Sequence, residues 1–456
     1  MSGKTFRMAM FLWLICLYVT AGWADFRSLV ILHTNDLHDH VRPDYDGRGG
    51  LPYMAGYIAR ERAGRTDVLL LDAGDVMEKG DLVAHLTQSK FTYELLGRLN
   101  YDAVTVGNHD FAYGWPHLRA CLDLLQGAHV VCANLLDDQG QPLTAPSAVL
   151  EKNRIRVAII GLITDTDDAK VLPWTKTVTA LQQEVERLKS WSDVLVVLAH
   201  LGKRECLILA EACPDVHLFV GGHAHEVLLE PVKADSGAWI VQAGSYGEYV
   251  GRVELEVDPE SRKVLLKSAE LVPMDHDKIQ PDEAMLAAIR ERENQVCPEA
   301  SEVLGRSETG MGVGQLARLA ARAFARKGKA DIGCCHTGLI FRDSLPAGVV
   351  DRNAVFRTGG QRGEKLVSAQ LRGQVLRNYQ AYLLKTKKGL TAMATAEGDI
   401  AADRLDANRG YRVVMPEREW NSRFLRVLDQ AVQPEPVEIT FTDALAEELV
   451  TELDSR

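Results

Sequence analysis

Seven side chains able to bind a metal ion stand in five short blocks of this sequence. The blocks are Thr34-Asn35-Asp36-Leu37-His38, Asp72-Ala73-Gly74-Asp75, Gly107-Asn108-His109-Asp110, Ala199-His200-Leu201-Gly202 and Gly221-Gly222-His223-Ala224-His225. Singly, an Asp or a Gly-containing turn after an apolar run is ordinary loop chemistry. Five blocks of one kind are a pattern. Asp36, His38, Asp75, Asn108, His200, His223 and His225 supply four imidazoles, two carboxylates and one amide oxygen, with no thiolate. That mixed shell suits Mn, Zn, Fe or Co; calcium prefers all-oxygen cages and Cu(I) prefers sulfur. Seven donors are too many for one tetrahedral ion and fit two divalent ions sharing a carboxylate. Two ions roughly 3.5–4 Å apart can clamp an ester oxygen and lower the pKa of bound water towards ~7.

Each block closes a short apolar run: Leu29 to Leu32, Val68 to Leu71, Ala103 to Val106, Val194 to Leu198 and Leu218 to Val220. Val130 to Cys132, Val157 to Ile160 and Trp239 to Val241 are further runs of the same kind. Runs of this length without clear alternation predict strands covered on both faces. In such sheets the C-terminal strand ends converge on the crevice where ligands bind. Lys90 to Leu99 and Thr179 to Lys189 have helical composition, so the expectation is a layered α/β domain over residues 25–280. Near Ile279-Gln280-Pro281-Asp282 the texture changes. Asp282 to Gln295 reads as a helix with Met285, Leu286 and Ile289 on one face, within a linker over 281–300. Residues 301–456 read as a smaller α+β domain. It should hold helices over Val313–Arg326 and Ser368–Leu384, an apolar stretch at Ile332–Ile340 and a strand-like Tyr411–Met415.

A chain of 456 residues is longer than one core usually serves. With 46% hydrophobic and 25% charged residues it is neither disordered, collagen-like nor a multi-span membrane protein. Its 52 basic and 63 acidic residues give a net charge of −11, which argues against a nucleic-acid polymer as partner. A small anionic substrate stays open, because bound cations reverse the local sign. Lys4 and Arg7 precede an apolar run from Met8 to Ala21, and Gly22-Trp23-Ala24 places small residues before Asp25. Residues 1–24 therefore read as a secretory signal, too short to span a membrane comfortably. The expected product is periplasmic or extracellular, without stable membrane insertion. Seven cysteines remain after the signal; Cys206 and Cys213 are candidate disulfide partners, and Cys334-Cys335 is a vicinal pair.

The motifs Asp36-x-His38, Gly74-Asp75, Gly107-Asn108-His109-Asp110, His200 and Gly222-His223-x-His225, in this order, resemble the calcineurin-like metallophosphoesterases. Thr-Asn-Asp-Leu-His, Leu-Leu-Asp-Ala-Gly-Asp and Gly-Gly-His-Ala-His are similar to the secreted 5′-nucleotidase branch. The resemblance implies an αββα metallophosphoesterase domain followed by a substrate domain, and a dinuclear hydrolase of small phosphate esters, 5′-nucleotides included. It implies one ion held by Asp36, His38, Asp75 and His225, and a second by Asp75, Asn108, His200 and His223. It also implies attack by metal-bound hydroxide without a covalent enzyme intermediate. His109 is then surplus to the ligands and becomes the candidate catalytic residue, stabilising the transition state or protonating the leaving oxygen. Asp110 becomes a supporting partner.

The sequence departs from that pattern in two places. In typical 5′-nucleotidases an Asp three residues after this His orients it; here that position is Ala112, so another group must orient His109. In the second domain, Ala330-Asp331-Ile332, Ser344 to Gly348 and Leu371 to Leu376 resemble the family. The expected Asn-x-Gly-Gly-Ile-Arg reads His336-Thr337-Gly338-Leu339-Ile340-Phe341-Arg342, leaving Arg342 as the candidate anion-binding residue. Met415 to Trp420 replaces the usual base-stacking loop, with Trp420 and Phe356 expected mainly as core. Two other functions stay open on the same scaffold: a thiosulfohydrolase-like sulfur-ester hydrolase and a non-catalytic metal-binding homologue.

Overall fold

The computed structural model describes residues 26–44, 47–258, 260–341, 343–359, 364–387, 389–428 and 432–454. The expected signal over residues 1–24 and the candidate Arg342 lie outside the described residues.

The apolar runs form strands, and five of them lead into the metal-type blocks: β1 (Arg27–Thr34), β2 (Val68–Asp72), β3 (Ala103–Val104), β4 (Val194–His200) and β5 (Leu218–Gly221). They belong to two six-stranded sheets. In the first, β1, β2, β3 and His129–Val130 run parallel, in register Val30↔Val68 and Leu71↔Ala103. A long hairpin, Tyr249–Asp258 and Lys263–Pro273, closes the other side antiparallel to β1. In the second, Ile155–Ile163, β4, β5 and Trp239–Val241 are parallel, with short antiparallel strands at both edges.

Alternate side chains explain why the runs are apolar throughout. Leu29, Ile31, Leu69 and Leu71 meet Ile159, Val196, Leu198 and Val220 between the sheets. Val30, Leu32, Val68 and Leu70 face outward onto helices, including α1 (Leu51–Arg62). On the far side, Leu195, Val197 and Phe219 pack under α2 (Trp174–Leu188) and Lys203–Ala212. The order is helix, sheet, sheet, helix. Each fully buried Leu, Ile or Val contributes about 1.5–3 kcal/mol.

Helix α3 (Glu283–Val296) starts at Asp282, whose carboxylate accepts from the Met285 amide (2.8 Å) and satisfies an otherwise orphaned donor. Beyond it, β6 (Ile332–His336) and the parallel β8 (Gly410–Pro416) are joined by β7 (Lys365–Arg372), Thr391–Ala394 and Glu435–Thr440 in one five-stranded sheet. Val313–Lys327 and the C-terminal helix Phe441–Asp454 cover one face, and Gly373–Thr386 the other.

Two expectations need correction. Ser368–Leu384 is not one helix: Ser368 to Arg372 belong to β7, and the helix starts at Gly373. Pairing of β7 with both β8 and Glu435–Thr440 outweighs the local helical composition. Cys206 and Cys213 are free, as are the other five described cysteines. The spacing spans nearly two helical turns, about 10 Å, beyond a disulfide's reach. Cys334 and Cys335 alternate across β6 into opposite cores. Among the described residues no helix is long and apolar enough to cross a membrane.

The helix Arg352–Thr358 and the Asp351 that caps it tie the C-terminal part of the chain to the two-sheet layer. Asp81, fully buried, accepts from Arg357 Nε (2.7 Å), Asn353 Nδ2 (2.6 Å) and the Val41 and Arg42 amides. Arg42 in turn reaches Asp351 (2.8 Å) and Glu293 (3.2 Å).

Candidate metal centre

All seven predicted side chains meet at the C-terminal ends of β1 to β5. Their donor atoms form two groups, Asp36 with His38 and His225, and Asp75 with His200 and His223; within each the atoms lie within 4.8 Å of one another. Asn108 joins the second group, its Oδ1 lying 3.3 Å from His200 Nε2 and 3.0 Å from His223 Nδ1. Asp75 touches both: its Oδ2 lies 3.1 Å from His200 Nε2 and 3.7 Å from His38 Nε2.

The protonation pattern says what belongs between them. His38 Nδ1 donates to the Met77 carbonyl (3.2 Å) and His200 Nδ1 to the Ala73 carbonyl (2.8 Å). Each Nε2 therefore carries a lone pair. His38 Nε2 faces His225 Nε2 at 3.1 Å and Asp36 Oδ1 at 3.9 Å; His225 Nε2 is 3.5 Å from Asp36 Oδ1. The His38 Nε2 lone pair thus faces carboxylate oxygens of both Asp36 and Asp75, and a cation resolves the conflict. Donors at ~2.1 Å from a tetrahedral ion lie about 3.4 Å apart, and these spacings bracket that value. The residues fit two divalent ions.

Without ions, protons have to do that work. Burial would lower His200, but the Asp75 carboxylate outweighs it and the imidazole is raised to about 10. Burial would raise Asp75, and His200 holds it well below the usual carboxylate range. Burial pushes His38 down to about 4, against the pull of Asp75 and with help from Lys79. Burial also lowers His223.

The backbone is strained where these residues sit. Asp36, His38, Asp75, His223 and His225 have φ between 48° and 66°, a region costing a non-glycine residue on the order of 1–2 kcal/mol. Such strain collects at functional sites where the surroundings over-determine it. The restraints are visible. The His223 amide donates to the Asp36 carboxylate (3.0 Å), as does Asn35 Nδ2 (2.7 Å). The buried Asp110 carboxylate accepts from the amides of Gly107, Val76, Asp75 and Met77 at 2.7–3.1 Å, binding the β2 and β3 loops together. Close backbone approach finishes the job: a Cβ on Gly107 would lie 2.1 Å from Asp75 Oδ1.

His109 belongs to neither donor group. Its amide donates to Asp75 Oδ1 (2.7 Å), and its ring centroid is 5.1 Å from that of His38. Glu78 Oε2 lies 2.6 Å from its Nδ1 and Lys79 Nζ 2.8 Å from its Nε2. The sequence reading missed both residues. Their one signal was a charged Glu-Lys pair three and four positions after Asp75, before Gly80. Ala112 and Tyr113 line a cavity of about 260 Å³ beside them, with Phe356 and Arg418. A larger cavity of about 440 Å³ opens between loops of the two-sheet layer and residues 343–357, lined by His40, Arg42, Arg48, Tyr246, Asp343 and Arg357 among others. Tyr246 stacks on His40 (4.2 Å) and lies 5.4 Å from His225, so this cavity adjoins the donor groups. Trp420 is buried against Phe424, as expected of core, whereas Phe356 is only half-buried and packs beside His85.

Residues 29–227 match the family model described as calcineurin-like phosphoesterase. The chain is 29% identical over 325 residues to Endonuclease YhcR of Bacillus subtilis, covering 62% of this chain and 26% of that protein. It is 26% identical over 492 residues to Protein UshA of Yersinia enterocolitica, covering 88% and 87%. The chain thus spans about a quarter of the first relative's length and most of the second's. The crystal structure of a 5′-nucleotidase precursor from Thermus thermophilus superposes with a TM-score of 0.69 at 22% identity, over 93% of this chain and 97% of that one, which shows the fold.

Proposed function

Residues 29–227 belong to the calcineurin-like phosphoesterase family, and from that premise we propose that the chain is a dinuclear metal-dependent hydrolase of small phosphate esters, 5′-nucleotides being the first class to test. The observation that carries the reading is the convergence of His38 and His200 Nε2, one from each donor group, on Asp75 Oδ2. Asp36, His38, Asp75 and His225 would hold one ion, and Asp75, Asn108, His200 and His223 the other. When bound, two divalent ions of Mn, Zn, Fe or Co would supply Lewis acidity and a water acidic enough to attack at neutral pH. The chain's own residues do the rest. Asp110 keeps the Asp75 and Asn108 loops in register, and His109 stands beside the ester as the group that stabilises or protonates the leaving oxygen. The 440 Å³ cavity is large enough for a nucleotide-sized leaving group, with Tyr246 and His40 as an aromatic floor.

Residues 25–280 act as the catalytic domain, 281–300 as the linker and 301–456 as the substrate domain, in which Arg342 grips an anion. The signal-like segment 1–24 and the likeness to UshA support export to the periplasm or beyond. Ala112 favours one second reading, a sulfur ester in place of a phosphate.

The test is a screen of the Mn- and Zn-loaded protein against 5′-nucleotides, sugar phosphates, cyclic diesters, aryl phosphates and a thiosulfate ester. Metal-dependent release of phosphate from a monoester is the expected result. Turnover confined to the sulfur ester would replace the phosphatase reading with the second one, and two bound ions with no turnover on any ester would make the chain a non-catalytic metal-binding homologue.

A further inference from the structure

We propose that Glu78 is the positioning residue for His109, with Lys79 fixing the opposite edge of the ring. The inference rests on the hydrolase reading for its catalytic consequence and on geometry alone for the contact. A carboxylate only accepts, so Glu78 Oε2 at 2.6 Å places the hydrogen on His109 Nδ1. An ammonium only donates, so Lys79 Nζ at 2.8 Å faces the lone pair on Nε2. Two charge-assisted bonds on opposite edges set both the tautomer and the rotation of the ring. The carboxylate that the sequence pattern leads one to expect at position 112 is thereby supplied from the β2 loop.

A half-buried polar contact could arise without function, but the backbone here argues otherwise. Glu78 and Lys79 have φ of 73° and 78°, two consecutive non-glycine residues in the left-handed region. The loop is clamped into that shape from both sides. The Glu78 amide donates to Asp39 Oδ2 (2.7 Å) and the Met77 amide to Asp110 Oδ1 (3.1 Å). At Gly80 a Cβ would lie 2.1 Å from the Asp39 carbonyl carbon, so only glycine lets the loop turn there. Strain at a pair of residues whose side chains both end on one catalytic candidate marks a built contact. With the Nδ1 hydrogen held by Glu78, the proton for a leaving oxygen comes from Lys79: an Nζ–H bond breaks, Nε2 takes the proton and passes it to the oxygen that replaces Nζ there, and Nζ is left neutral.

The experiment compares the Mn-loaded full chain with its Glu78→Ala and Glu78→Gln variants on an alkyl phosphate, a poor leaving group, and on p-nitrophenyl phosphate, a good one. Glu78→Ala should keep both ions and its KM, lose about 10²-fold in kcat on the alkyl ester, and lose far less on the aryl ester. Glu78→Gln, whose amide oxygen can still accept from Nδ1, should recover to within about tenfold of the parent. Unchanged alkyl-ester turnover in Glu78→Ala, equal losses on both esters, or loss of ions would overturn the role. Histidine-selective ¹⁵N spectra, with His109 assigned by difference against His109→Ala, give a second readout that needs no Glu78 variant to fold. A hydrogen on Nδ1 is expected, and one on Nε2 alone refutes the contact. If the parent protein turns over no ester, the hydrolase reading falls, and the tautomer still decides the Glu78 contact.

Discussion

Replacing Asp75 by Asn should empty both ion sites while leaving the fold in place. The side chains are nearly isosteric, so packing barely changes. Their hydrogen bonding does. Asp75 Oδ1 accepts the His109 amide at 2.7 Å, so the Asn carbonyl must take that position. The NH₂ then stands where Oδ2 was, 3.1 Å from His200 Nε2 and 3.7 Å from His38 Nε2. A donor now satisfies the two lone pairs the ions need, and each ion loses its shared anionic neighbour. At an effective dielectric near 20, one unit charge pair at ~4 Å is worth about 4 kcal/mol. Each divalent ion should therefore bind at least ~10³-fold more weakly. Elemental analysis after dialysis should find close to no Mn or Zn, and calorimetric titration should show both binding events weakened together. Thermal unfolding of the metal-free proteins checks the fold. Retention of two ions at parental affinity, or loss of one alone, would refute Asp75 as the shared ligand.

Three further outcomes follow from other contacts. His109→Ala should keep both ions by elemental analysis while turnover of an unactivated ester falls by about 10²–10⁴-fold; loss of metal would show that His109 belongs to the ion shell. Arg357→Ala leaves the fully buried Asp81 without its guanidinium partner, which should cost about 3 kcal/mol in denaturant unfolding, and a change below about 0.5 kcal/mol would mean that the tie to the two-sheet layer is held elsewhere. Burial raises Glu419 from 4.5 to about 7, so the folded state holds a proton that the unfolded chain releases. That stability is present below pH 4.5 and is lost as the pH rises through about 7, roughly 3 kcal/mol in all. Glu419→Gln should flatten this part of the pH–stability curve, and an unchanged slope would point to another group.

The sequence was most legible where one physical rule acted alone. Leu29 to Leu32 and Val194 to Leu198 are apolar throughout because both faces are covered, so strand, layer and strand-end loop could be read together. The seven donors were readable for the same reason, each standing just past such a run. Legibility failed where a distant partner decides. Ser368 to Arg372 looks helical locally and becomes strand because it pairs along its whole length with β8. Glu78 carries no periodic signal; only the folded loop, bent by two left-handed residues, brings it to His109. The antiparallel hairpin Tyr249–Asp258 and Lys263–Pro273 escaped notice because Lys267, Ser268 and Glu270 interrupt the apolar residues of its half-buried outer strand.

The most direct measurement is an anomalous difference map from crystals of the Mn- or Zn-loaded protein. Two peaks about 3.5–4 Å apart, on either side of the Asp75 carboxylate and within bonding distance of His38, His200, His223 and His225, are the predicted result. A single peak, or ions bound away from these strand ends, would contradict a shared two-ion centre.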